Sequence, residues 1–264
     1  MVGGLCTGCE DAMALIDLQN VSISLPIYNS RGRGLKHEIL RRTVGSNLQH
    51  PKDQNITIVR ALSDVTLRIK DGDRVGVVGR NGAGKTTLLR VLSRIYPPTA
   101  GKIQVVGTVS SMTDLSVGMG PEATGYENIV MRGIMLGLTH RQAAALIPDV
   151  EEFTELGEYL ELPIRTYSAG MMLRLSFAIS TAVRPDIIIL DEMISVGDAA
   201  FVTKARARIT NLIQNASILV LATHDDNLLQ EFCQTAIWMN YGRVASMGDT
   251  ETVLAHYHSE IGNT

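Results

Sequence analysis

The chain has 264 residues, 45% of them hydrophobic and 19% charged, with a formal net charge of −3 and a mean hydropathy of +0.12. This composition excludes a disordered, solvating protein, and a pI of about 6.1 excludes broad electrostatic binding to nucleic acid. No apolar run approaches the roughly 18–20 residues that cross a bilayer, so no membrane-spanning segment is expected.

Residues 1–13 read as an N-terminal extension ahead of a domain over 14–264. They lack the charged and apolar regions of a secretory signal. Cys6 and Cys9 form a C-x-x-C, but with no second pair or nearby histidine they read as part of that extension rather than as a metal or redox site. With Cys233 they make no disulfide framework, which fits a reducing compartment.

Residues 21–25 alternate apolar and polar, as a half-buried strand does, and so do 65–69. Between them, 29–58 form a polar insert carrying Arg31, Arg33, Lys36, Arg41 and Arg42, with Glu38 the only acid from 31 to 42. The stretch 35–42 suits either a short basic amphipathic helix near anionic headgroups or a solvated basic loop. Continuous apolar runs at 75–78, 187–190 and 218–222 suit parallel strands covered on both faces. Helices are expected at about 85–94, 168–183 and 199–214, a strand-turn pair around 238–245 and a short helix from Thr250. Residues from about 114 to 165 look mostly helical and read as a subdomain inserted into an α/β core.

The strongest signal is Gly79-Arg80-Asn81-Gly82-Ala83-Gly84-Lys85-Thr86, a match to G-x-x-x-x-G-K-[ST] between a buried strand and a helix. Glycines let backbone amides converge on phosphate oxygens, and the helix N-terminus adds positive dipole. Lys85 supplies a cation to the β- and γ-phosphates, and the Thr86 hydroxyl suits Mg2+. Thr87 extends this nucleotide-binding run. A second buried strand ends in Asp191-Glu192, where Asp191 can hold Mg2+ and Glu192 can orient or deprotonate an attacking water. A third ends in Thr223-His224-Asp225, which places His224 as a γ-phosphate sensor. A phosphate loop alone leaves GTPases, small-molecule kinases and ATPases open.

Three further segments narrow the choice. Tyr167-Ser168-Ala169-Gly170-Met171-Met172 resembles the L-S-G-G-Q signature of ATP-binding-cassette (ABC) ATPases, with Ser168 also a plausible helix N-cap. Ser195-Val196-Gly197-Asp198 stands at the D-loop spacing, and His224 at the switch-histidine position. The order of motifs is the ABC order over nearly the whole chain. Pro121-Glu122-Ala123-Thr124-Gly125-Tyr126-Glu127-Asn128 and Val196-Gly197-Asp198-Ala199-Ala200-Phe201 further resemble the ATPase subunits of O-antigen and related polysaccharide exporters (Wzt-like).

The resemblance implies a P-loop NTPase of the ABC nucleotide-binding type, with a parallel-sheet core, an antiparallel β subdomain and an inserted helical subdomain. It implies ATP and Mg2+ as ligands, with Ser168, Ala169, Gly170 and Asp198 as further nucleotide contacts and Tyr28 stacking on adenine or serving as an ordinary loop tyrosine. It also implies a head-to-tail dimer of two copies, two copies of a transmembrane permease bound at the cytoplasmic face of the inner membrane, and a lipid-linked polysaccharide as cargo. Met112, Met119, Met131 and Met135 would form the permease-docking groove or simply pack the core. Where the family carries a glutamine that contacts Mg2+ and water, this chain has Asp114 or Leu115. The chain ends about 40 residues after His224, which implies the short type without a sugar-binding domain. Export of capsule or teichoic acid, a non-transport ABC ATPase and a non-hydrolysing regulator are the alternatives.

Overall fold

Apolar side chains at every second position build the first strand pair. β1 (Leu15–Tyr28) and β3 (Ile56–Lys70) run antiparallel, from Leu15 opposite Lys70 to Tyr28 opposite Ile56. Ile16, Leu18, Val21 and Ile23 of β1 face Leu62, Val65, Leu67 and Ile69 of β3 in a buried layer. The alternation slips once between Leu18 and Val21, where Asn20 adopts φ 51° and its amide donates to Thr66 Oγ1 at 2.9 Å. This bulge returns Val21 and Ile23 to the buried face.

The computed structural model describes residues 13–28, 48–49, 56–112, 115, 117–191 and 199–262. These fall into two compact units, one from the chain up to Thr108 together with Val220 onward, the other Val109–Leu219. The expected extension with Cys6 and Cys9, the stretch 35–42 with its basic residues, and Asp114 lie outside the described residues. Of the polar insert only β2 (Leu48–Gln49) and the start of β3 are described.

In the first unit, β5 (Ala100–Val106) completes an antiparallel sheet in the order β2-β3-β1-β5. A second set of strands lies in the order β10-β9-β4-β8: β10 (Arg243–Asp249), β9 (Thr235–Asn240), β4 (Arg74–Val78) and β8 (Ile218–Ala222). β4 and β9 are parallel, with Val75 opposite Thr235 and Val78 opposite Trp238, while β9 and β10 form an antiparallel hairpin. Helix α1 (Lys85–Leu92) packs with Leu88, Leu89, Val91 and Leu92 fully buried. Among the described residues the unit's remaining helices are α7 (Asp226–Phe232) and α8 (Thr250–Gly262).

In the second unit, β6 (Val109–Ser111) pairs in parallel with β7 (Ile187–Asp191). Its helices are α2 (Gly125–Met135), α3 (His140–Ala144), α4 (Ile147–Thr154), α5 (Ala169–Ala182) and α6 (Ala199–Asn215). Two 3-10 turns, Gly157–Glu161 and Ile164–Thr166, precede α5. Capping boxes start α2 (Thr124 with Glu127) and α3 (Thr139 with Gln142), satisfying amides that have no intrahelical acceptor. Phe153, Phe177 and Phe201, one each from α4, α5 and α6, meet with ring centroids 5.6–5.8 Å apart in this unit's core. Among the described residues no helix is long and apolar enough to cross a membrane.

Candidate nucleotide-binding site

The phosphate loop is held from beneath by the turn between β9 and β10. Gly242 donates its amide to the Ala83 carbonyl at 2.9 Å, and its own carbonyl accepts from the Ser63 amide at 2.8 Å. A Cβ on Gly84 would lie 2.9 Å from the Ala61 carbonyl oxygen, and one on Gly242 would lie 2.6 Å from the same atom. Gly79 leaves the buried end of β4 at φ 150°, and a Cβ there would stand 2.4 Å from the Met239 carbonyl oxygen. Glycine is therefore required here by contact as well as by conformation. Gly242 was not singled out from the sequence; its only trace is a Tyr-Gly pair between two strand-like runs.

The loop carries its chemistry outward. Arg80, Asn81 and Gly82 are exposed, with Gly82 at φ 80°. Ala83 is buried and closes the turn through its amide to the Arg80 carbonyl at 3.0 Å. Gly84 caps α1 in the left-handed region, and the helix's first internal hydrogen bond runs from the Leu88 amide to the Gly84 carbonyl at 2.8 Å. The amides of the preceding turn consequently point out of the helix, with no acid in that turn to neutralise the dipole. Lys85 Nζ bends back over the loop and donates to the Gly79 carbonyl at 2.5 Å and the Arg80 carbonyl at 3.4 Å. Thr86 is exposed and Thr87 half-buried at the same helix end. A ring of amides with one flexible ammonium is a polyphosphate cradle.

β8 lies next to β4, and Thr223, His224 and Asp225 follow it. His224 is exposed at this turn. Asp225 caps α7 through the Asn227 and Leu228 amides and receives its own shape from Thr223 Oγ1, 3.1 Å from its amide. Tyr28 closes β1 opposite Ile56.

In the second unit, Asp191 ends β7 half-exposed after four buried residues. Glu192 and Asp198 lie outside the described residues. Ser168 caps α5, its hydroxyl accepting from the Met171 amide at 3.2 Å. Ala169 and Gly170 are exposed in the first turn, which contains no acid, and the nearest atom to a Cβ on Gly170 would be Ser168 Oγ at 3.9 Å. The helix end is open and electropositive.

The Pro-Glu-x-Thr-Gly-x-Glu-Asn run explains how that end is placed. Residues 121–124 pair with 163–165: the Arg165 amide donates to the Pro121 carbonyl and the Ile164 amide to the Ala123 carbonyl, both at 3.0 Å. Arg165 also pairs with Glu122 at 2.9 Å. Tyr167, just before the capping serine, donates its hydroxyl to the Tyr159 carbonyl at 2.6 Å. A Cβ on Gly125 would stand 2.5 Å from that hydroxyl, so the glycine makes room for it. Burial, followed by the neighbouring Tyr126, raises the Tyr167 pKa above the ordinary phenol value.

Among the described residues no cluster of three His, Cys, Asp or Glu side chains could form a protein-only metal cage. The Thr86 hydroxyl in the first unit and the Asp191 carboxylate in the second are each hard oxygen donors of the kind Mg2+ takes.

Comparison with known proteins agrees with this geometry. Residues 62–195, about half of the chain, match the ABC transporter family model. The O-antigen export system ATP-binding protein RfbE of Yersinia enterocolitica is 40% identical over 88% of this chain and 97% of its own length. The teichoic acids export ATP-binding protein TagH of Bacillus cereus is 33% identical over 92% of this chain but 42% of its own length. The dimeric post-hydrolysis structure of the ATP-binding cassette MJ0796, bound to ADP and Pi, shares the fold with a TM-score of 0.63 and 19% identity, over 89% of this chain and 98% of that one. On its motifs, fold and relatives, the chain belongs to the ABC transporter family, whose cassettes bind and hydrolyse ATP.

Proposed function

We propose that this ATPase powers export of a lipid-linked, O-antigen-type polysaccharide through a separate transmembrane permease. The observation that carries this reading is the 40% identity to an O-antigen export ATP-binding protein over 97% of that protein's length. Two copies pair head-to-tail about a two-fold axis at the cytoplasmic face of the inner membrane. Each ATP lies between the Gly79–Thr87 loop of one copy and Ser168, Ala169 and Gly170 of the other, with Asp198 beside the shared site. Tyr28 stacks on adenine.

Lys85 and the first-turn amides of α1 take the phosphates. Thr86 and Asp191 would hold Mg2+, which when bound neutralises phosphate charge. Glu192 accepts the proton of the attacking water, and His224 holds the γ-phosphate end. ATP favours the closed pair because only that state offers both surfaces to one γ-phosphate. After hydrolysis this bridge is lost and the pair reopens. Asp114 and Leu115 stand where a glutamine would be, so water positioning falls to Glu192 and His224.

The permease docks on the helical part of the second unit. Met131, Ile134 and Met135 of α2 are exposed there, together with Val117. Met112 and Met119 are only half-exposed, which supports a packing role for those two. Teichoic-acid export is the second reading, favoured by the 33% identity to TagH.

The test is ATP hydrolysis by the purified subunit–permease complex, with Glu192→Gln as control. The reading expects permease-stimulated phosphate release that the substitution abolishes. Equal release from both proteins would remove Glu192 from the reaction, and a rate indifferent to the permease would remove the transport role.

A further inference from the structure

We infer that Arg132 is a positioning residue that joins the docking side of the helical region to the signature helix α5. The inference rests on the permease-docking reading above. Helix α2 has two unlike faces. Met131, Ile134 and Met135 are 42%, 45% and 64% exposed, whereas Asn128 and Arg132, one turn apart, are 0% and 5% exposed.

The buried pair grips the chain that leads into α2. The Asn128 side-chain amide donates to the Gly120, Ala123 and Thr124 carbonyls at 2.8–3.1 Å, and its oxygen accepts from the Gly120 amide at 2.8 Å. Arg132 donates Nη1 to the Val117 carbonyl and Nη2 to Ser180 Oγ of α5 at 3.1 Å. One guanidinium therefore serves two separate segments.

From Ser180 a polar string runs back along α5. Ser180 donates to the Ser176 carbonyl at 2.8 Å, and Ser176 donates to the Met172 carbonyl at 2.7 Å. Ser176 Oγ also lies 3.0 Å from Met119 Sδ. The Met172 amide donates to the Ser168 carbonyl at 2.9 Å, which brings the string to the signature. Buried serines at i and i+4 and a buried arginine cost desolvation and helix propensity. Leucine and alanine would fill the same space more cheaply, so packing alone does not account for them.

The geometry has a mechanical consequence. A push on Val117 or on the exposed face of α2 reaches α5 through a planar, two-pronged donor rather than through sliding apolar contacts. Arginine is needed because a lysine ammonium can approach one acceptor but cannot span both with fixed geometry.

The experiment compares Arg132→Lys and Ser180→Ala with wild type, both as isolated subunit and in complex with the permease. Isolated-subunit hydrolysis should stay at wild-type values in both variants, while Tm falls by a few degrees because each leaves a buried polar group short of a partner. The stimulation by permease should fall about threefold or more, the scale of coupling changes along such networks. Ser180→Ala keeps the charge and a good helix former, so it reports even if Arg132→Lys folds poorly. Wild-type stimulation in both variants would overturn the inference, as would a parallel loss of isolated and stimulated rates, which marks a merely structural role. A wild-type subunit that the permease does not stimulate would instead overturn the docking reading itself.

Discussion

At the scale of single residues, the phosphate loop depends on one charge and a few absent methyl groups. Lys85, at the head of α1, bends its ammonium back over the loop where the phosphates would lie. A charge-assisted hydrogen bond contributes about 1.5–3 kcal/mol. Lys85→Ala should therefore weaken ATP binding by about 10- to 150-fold in a fluorescence titration, with Tm nearly unchanged. Gly242 acts from below. An alanine there meets the Ala61 carbonyl at 2.6 Å with φ at 76°, and urea unfolding should show a loss of about 1–3 kcal/mol. The Lys85 motif was legible because its spacing is the chemistry. Gly242 was not, because its role comes from a contact across about 160 residues of chain. Arg132 was hidden for the same reason: within the sequence it looks like a polar position on an ordinary amphipathic helix, whereas Asn128 was read as part of the Pro-Glu-x-Thr-Gly-x-Glu-Asn run.

At the scale of elements, strand and helix types followed the apolar pattern, and their ends followed caps. The expected strand at 21–25 proves to be the middle of β1, because the bulge at Asn20 breaks the alternation that marks its first half. The expected helix at 85–94 ends at Leu92, where Arg94 turns to φ 59°. β5 and β6 went unread: β5 opens on Ala-Gly and closes on two adjacent valines, which blurs its alternation, and β6 is too short to show a period. The aromatic trio ties α4, α5 and α6 together, so Phe201→Ala should cost about 3–5 kcal/mol of stability. Cys233 lies at the end of α7 against Gly76, and burial pushes its thiol up from 9.0 to about 12, with Arg74 opposing weakly. The folded protein keeps this proton where the unfolded chain releases it. The group's contribution to stability is thus complete below pH 9 and declines as pH rises toward 12. At pH 8 a thiol reagent should label Cys233 only as fast as the protein unfolds.

At the scale of the whole molecule, the order of motifs carried more than any one of them. Phosphate loop, helical insertion, capped signature helix, strand-end carboxylates and histidine lie in one sequence order, and the chain is similar over 88% and 92% of its length to ATP-binding proteins of O-antigen and teichoic-acid export. On the proposed export reading the cargo is handled by the permease rather than by the ATP site. The most direct measurement is therefore made in the source cell with Glu192→Gln expressed at normal level. Surface polysaccharide and lipid-linked polysaccharide inside the cell are quantified side by side. Export driven by this ATPase predicts loss from the surface with accumulation inside. An unchanged surface and no accumulation would contradict it.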